Sequence, residues 1–236
     1  HYHHSVGGYH GAKLRLYQDL IDRHLEPEWR ALMGALQAKD YPGIETALRN
    51  SPALNMLGCR YLIYNPQQKP IVNPHAMPEA WFVERATKAA SPDDAIGRIG
   101  AADLRREAIV QGDEGGAFAT DSAATIRQTA FAPDKVTYES RSAADGMAVF
   151  SEIYYPAGWK ATIDGQEAGI VRANYALRAL RIPAGRHNIE FTFAPTSFRV
   201  GNMISTAASA VAALLMVAGA ALALRRKEPA GEGRKE

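Results

Sequence analysis

Four side chains in one short stretch carry the clearest binding chemistry in this sequence: Tyr154, Tyr155, Trp159 and Asp164. Flat aromatic faces pack against the C–H groups of a sugar ring, while a nearby carboxylate accepts hydrogen bonds from its hydroxyls. The same residues also read as ordinary structure. Aromatics fill strand interiors, and Asp164-Gly165 suits a two-residue hairpin turn with positive φ. Both readings place the cluster on one predicted hairpin.

Other reactive side chains are less organised. His1, His3, His4 and His10, with Tyr2 and Tyr9, make a His/Tyr-rich start, but their spacing matches no zinc pattern and acidic ligands are lacking. No metal site is expected, and the segment reads as a cap on the domain or the lining of a cleft. Adjacent side chains on a helix diverge by about 100°, so Asp93 and Asp94 do not converge on one ligand and read as helix capping. His75 sits in a Pro-rich loop, and His187 is read as solvated. Cys59 is the single cysteine, so no internal disulfide forms, and it reads as a small buried residue. There is no G-x-S-x-G elbow.

The elements that must position these groups fall into a predicted α+β order. Residues 1–57 read as an N-terminal helical segment: Leu14, Tyr17, Ile21 and Leu25 form a stripe, Pro27 breaks it, and Trp29, Leu32, Met33 and Leu36 restart it. Ser51-Pro52 looks like a helix start and Gly58 like its stop. Residues 58–112 read as a small α+β region. CRYLIYN and AWFVERA are strand candidates, the stretch PQQKPIVNPHAMP an irregular loop, and Ser91-Pro92-Asp93-Asp94 a capped helix start. Residues 113–198 hold about seven short strands separated by Pro-Asp, Asp-Gly and Pro-Ala-Gly turns, the pattern of an antiparallel β-sandwich. In HNIEFTF the alternation puts Ile189, Phe191 and Phe193 on one face.

Residues 200–224 contain no charge and are almost entirely apolar or small, long enough to cross a hydrocarbon core of about 30 Å. Arg225, Arg226 and Lys227 follow, the basic flank of a cytoplasmic helix end. One C-terminal transmembrane helix with a cytoplasmic basic tail, 225–236, is therefore expected, with residues 1–199 on the outer side. Ala208, Ala212, Ala213, Gly219 and Ala220 suit close packing against other transmembrane helices. A net charge of +2 over 236 residues, without a basic stripe, argues against nucleic acid as a partner. The bilayer is the expected partner, with anionic lipid near the tail. The sequence starts with neither Met nor an apolar signal core. Earlier membrane segments are expected upstream, with a processed signal peptide or a tag remnant as the alternatives.

Four blocks carry a resemblance. They are SVGGYHGAKLRLYQDLID, LNMLGCRYLI, NPHAMPEAWFVE, and SEIYYPAGWKATIDGQEAGIVRANYALRALRIPAGRHNIEFTFAP. In this order they resemble the C-terminal part of YfhO-like bacterial membrane proteins. The resemblance implies an outer domain and last membrane helix of a polytopic protein of the bacterial cytoplasmic (inner) membrane. It further implies a GT-C-like relative that takes sugars from a polyprenyl-phosphate donor, with catalytic residues in an N-terminal half outside this sequence. It places no catalytic residue and no cofactor here. In that setting SVGGYHGAK lies near the membrane-side active site, where His10 and Lys13 would face the phosphate of a lipid-linked sugar. The competing reading is a membrane-anchored, non-catalytic β-sandwich that binds glycan or holds an envelope assembly.

Overall fold

The computed structural model describes residues 6–7, 14–112, 114–119 and 121–225. His1, His3, His4, His10, Lys13 and the basic residues after Arg225 lie outside the described residues. The chain divides into two compact units, one ending at Phe193 and one starting at Ala194.

The first unit opens with helices. α1 (Arg15–Leu20) runs through a π-helical turn (Ile21–Leu25) directly into α2 (Glu26–Gln37). Pro27 was expected to end the first helix, and it does not. Proline removes one N–H and crowds the carbonyl four residues back. The wider turn over 21–25 absorbs that misfit and lets the helix continue. α3 (Tyr41–Arg49) follows, its start capped by the Asp40 carboxylate accepting from the Gly43 N–H at 3.0 Å. α4 (Pro52–Met56) stops at Gly58 as expected, with the Cys59 N–H returning to the Leu54 carbonyl at 3.1 Å and the Gly58 N–H to Asn55 at 3.0 Å.

Fourteen strands are described. β1 (Tyr61–Leu62) and β2 (Ile71–Val72) pair antiparallel, so the Pro-rich loop contains a short strand where none was expected. β3 (Ala80–Val83) and β4 (Arg85–Lys88) divide AWFVERA in two at Glu84. α5 (Pro92–Arg98) then crosses to β5 (Glu107–Gln111), which pairs parallel with β4. Its start is the expected cap: the Ser91 hydroxyl accepts from the Asp94 N–H at 3.1 Å. There follow β6 (Gly116–Ala117), β7 (Thr125–Ala132), β8 (Lys135–Ser142), β9 (Gly146–Ile153), β10 (Trp159–Ile163), β11 (Gln166–Ala168), β12 (Val171–Ala173), β13 (Leu177–Ile182) and β14 (Gly185–Phe193).

Two large sheets result, in the orders β11-β10-β14-β8-β7 and β3-β9-β13-β12-β5-β4-β6. The α+β class with a sandwich that is antiparallel except for the β4–β5 pair is therefore what the chain forms. The division expected at 112/113 does not separate two sheets, because the seven-stranded sheet draws β3, β4 and β5 from before it and β9, β12 and β13 from after it. The run EAGIVR, expected as one strand, is split: β11 joins one sheet and β12 the other. Only Glu84 separates β3 at one edge from β4 near the other. Two Cα steps span less than about 8 Å, so the seven-stranded sheet must curl back on itself.

This sheet is buried on both faces, which explains why its central strands lack a polar alternation. Met147, Val149, Leu177 and Ala179 pack toward the helices, together with Leu20, Leu32, Met56 and Ile96. Ala148, Phe150, Leu180 and Ile182 face the five-stranded sheet and meet Val136, Tyr138, Ile189 and Phe191. At the centre of the second layer the Phe150 ring lies edge-on to Tyr138 and Phe191, each at 4.8 Å. Phe150 has no solvent exposure. Phe150→Ala is expected to cost about 3–5 kcal/mol of stability, read as a shift in the urea midpoint of the full chain in detergent.

The second unit contains α6 (Thr196–Arg225). Its stretch Val200–Ala223 has mean hydropathy 2.0 and no residue buried within the structure. Twenty-four residues rise about 36 Å as a helix, which matches a hydrocarbon core with modest tilt.

Candidate functional site

The loop from β9 to β10 brings the sequence-nominated aromatics together. Tyr154, Tyr155 and Trp159 line one cavity of about 220 Å³, with Lys160, Glu167, Gly169 and Arg178 among its other walls. The turn is tight because Gly158 lies under Phe193: a β-carbon there would stand 2.5 Å from the ring. The Phe193 ring in turn meets Trp159 at 5.4 Å and Tyr155 at 6.3 Å. Tyr155, which lines the cavity, and Phe193 are each 36 % exposed. Ile189, Phe191 and Phe193 keep the common face expected of them; the first two are buried, and Phe193, the last residue of its strand, is exposed.

Asp164 is not in this cavity. It occupies the β10–β11 turn with φ 50°, followed by Gly165 at φ 81°, the geometry of a two-residue hairpin. Five residues of strand, about 16 Å, separate it from Trp159. Its carboxylate is committed: Oδ1 accepts from the Asn188 N–H at 2.8 Å and Oδ2 pairs with His187 Nδ1 at 2.7 Å. His187 and the Asn188 N–H hold the Asp164 carboxyl below its ordinary range, and Asp164 raises the imidazole. His187, read as solvated, has a side chain only 16 % exposed. It shares strand parity with Ile189 and Phe191, and the aspartate anchors it.

Arg178 is the residue that sequence reasoning missed. It lies on β13, 2 % exposed, with its guanidinium carbon 4.1 Å from the Trp159 ring centre and 5.4 Å from that of Phe191. Nε donates to the Ile153 carbonyl at 2.9 Å, while Nη1 is buried without a partner. Burial pulls its pKa below the ordinary arginine value, opposed by the charge of Glu152. A signal for it was present in LRALRI. Arg178 shares the parity of Leu180 and Ile182, which face the second core layer.

The remaining reactive groups are held in structural bonds. Cys59 is half-buried, and burial together with the charge of Glu28 pushes its thiol up to about 12, far from nucleophilic at neutral pH. His75 pairs with Glu45 at 2.7 Å. Glu107, nearly buried on β5, accepts from Arg85 at 2.7 and 3.0 Å, Arg98 at 3.0 Å and Thr87 at 2.5 Å. Burial alone would raise its pKa, and these donors lower it instead. Among the described residues no group of three His, Cys, Asp or Glu side chains is placed to hold a metal ion.

An aromatic, arginine-floored cavity on a β-sandwich, with a helix long and apolar enough to span a bilayer, defines a membrane-associated β-sandwich module. Residues 117–205 match the family model of the bacterial membrane protein YfhO, and this part of the chain is YfhO-like. The match runs from β6 through β14 into α6 and includes every aromatic of the cavity. The three earlier sequence blocks lie upstream of it. No curated protein and no solved structure matches the chain.

Proposed function

We propose that this chain forms the extracytoplasmic module and last membrane helix of a polytopic, glycosyltransferase-like protein, and that its cavity holds one sugar ring of a glycan or lipid-linked sugar. The observation that carries the reading is the grouping of Tyr154, Tyr155 and Trp159 around one cavity beside a buried arginine. A volume of about 220 Å³ lies below the range usual for drug-sized ligands and suits a single ring. Aromatic faces receive C–H groups, and Lys160, Glu167 and Arg178 offer donors and acceptors for hydroxyls. The catalytic step, with a polyprenyl-phosphate sugar as donor, belongs to residues outside this chain. His10 and Lys13 would meet the donor phosphate, and charge-removing substitutions there should weaken donor binding by the complete protein.

The test is a glycan screen on the full chain in nanodiscs. Tyr155 lines the cavity and is partly exposed, so Tyr155→Ala should leave the unfolding midpoint unchanged and weaken glycan binding about tenfold, or ~1.4 kcal/mol. Binding that ignores Tyr155 and Trp159, or no glycan binding at all, would overturn the proposal. Protease added to spheroplasts should digest the module and spare an epitope placed after Glu236. The opposite pattern would invert the assigned topology.

A further inference from the structure

We infer that the cavity is built for a sugar carrying an oxyanion, a carboxylate or a phosphoryl group, which the Arg178 guanidinium receives. This inference rests on the sugar-binding reading above and narrows its substrate class. A guanidinium 2 % exposed between two sheets is an expensive group to keep. Its neighbours satisfy it only in part. Ile153 takes Nε, the Trp159 and Phe191 faces receive the cation, and Nη1 has no acceptor. Glu152 acts on it electrostatically. A purely structural filler at this position would be apolar, since a well-packed hydrophobic side chain is commonly as stable as a buried charge. Arg178 is among the residues that line the aromatic cavity, and its guanidinium lies against the Trp159 ring of that lining. A planar fork of N–H donors matches a carboxylate or phosphoryl group better than it matches a lone hydroxyl. At the mouth stand two exposed charges, Lys160 on β10 and Glu167 on β11. Lys160 adds to the attraction and Glu167 opposes it.

The experiment titrates the full chain in micelles with glucose, glucuronate, glucose 1-phosphate and inorganic phosphate, reading heteronuclear NMR shifts and indole fluorescence. The Trp159 ring covers the guanidinium, so pairing at Arg178 alters the surroundings of this fluorophore. The expected result is at least tenfold tighter binding of one or both anionic sugars than of glucose, an advantage that shrinks with added salt. The two anionic sugars distinguish a carboxylate from a phosphoryl ligand. Arg178→Met should abolish the advantage and keep residual glucose binding. Should Arg178→Met fail to fold, the exposed pair decides: Lys160→Gln should reduce the advantage about threefold and Glu167→Gln should increase it. Glucose binding as tight as its anionic analogues, or an anion preference untouched by these substitutions, overturns the inference and leaves the sugar cavity standing. Arg178-dependent binding of inorganic phosphate without any sugar supports the oxyanion site and overturns the sugar reading. Absence of all four ligands overturns both.

Discussion

Glu28→Ala should lower the unfolding free energy by about 3 kcal/mol at pH 5, although Glu28 belongs to no candidate site. The first N–H groups of α4 have no partner within their own helix. Ser51, which precedes them, turns its hydroxyl to the Ala47 carbonyl at 2.7 Å instead. The Glu28 carboxylate, reaching over from α2, accepts from Ala53 N–H at 3.0 Å and Leu54 N–H at 2.9 Å. Removing it strands two buried donors, each costing about 1–3 kcal/mol. Burial pushes the Glu28 carboxyl up to about 7, against the lowering effect of those two donors. Below pH 4.5 the acid is protonated folded and unfolded alike. Between about 4.5 and 7 the unfolded chain releases a proton that the folded chain keeps, so stability falls as pH rises. Above 7 the loss is complete, on the order of 3 kcal/mol for this separation of pKa values. Glu28→Gln cannot titrate, so its urea midpoint should lack this component of the fall from pH 4.5 to 7. Equal slopes in the wild type and Glu28→Gln would show that Glu28 does not set this dependence.

Glu28 also marks where the sequence stops being readable. Ser51-Pro52 carries the pattern of a capped helix start, and the helix does begin there. The cap comes from a glutamate more than twenty positions upstream, a contact that only the packing of α2 on α4 creates. The same logic runs through the sheets. Local chemistry announced the Asp164-Gly165 turn, the Ser91 cap and the Gly58 stop, because each depends on a few neighbouring residues. Pairing between sheets was not announced. EAGIVR reads as one strand, and nothing within it says that β11 and β12 pair in different sheets. Arg178 shows both sides. Its parity with Leu180 and Ile182 was visible in the alternation, but the cavity beside it is assembled from the β9–β10 loop and the β10–β11 hairpin. Asp164 fell on the wrong side of this division. Proximity in sequence grouped it with Trp159, and an extended strand carries the two apart.

Val211→Arg combined with Ala213→Arg should remove residues 1–236, expressed by themselves, from the membrane. Both positions lie in the middle of the apolar stretch Val200–Ala223. They point about 200° apart around a helix of 3.6 residues per turn. A single arginine could hide against a neighbouring helix or snorkel toward a headgroup. Two on opposite faces cannot share one shelter, so at least one meets hydrocarbon. At about 2.5–3.5 kcal/mol for each arginine near a helix centre, the pair costs roughly 6 kcal/mol of insertion free energy. That is a factor on the order of 10⁴ in the partition between membrane and water. Carbonate extraction should keep the wild type in the membrane pellet and release or aggregate the double variant. Val211→Leu with Ala213→Leu should stay in the pellet, which separates the charge effect from a change of bulk. The sandwich core should be kept, because all of its residues belong to the unit that ends at Phe193. Retention of the double-arginine variant at wild-type levels would mean that α6 is not what holds this chain to the bilayer.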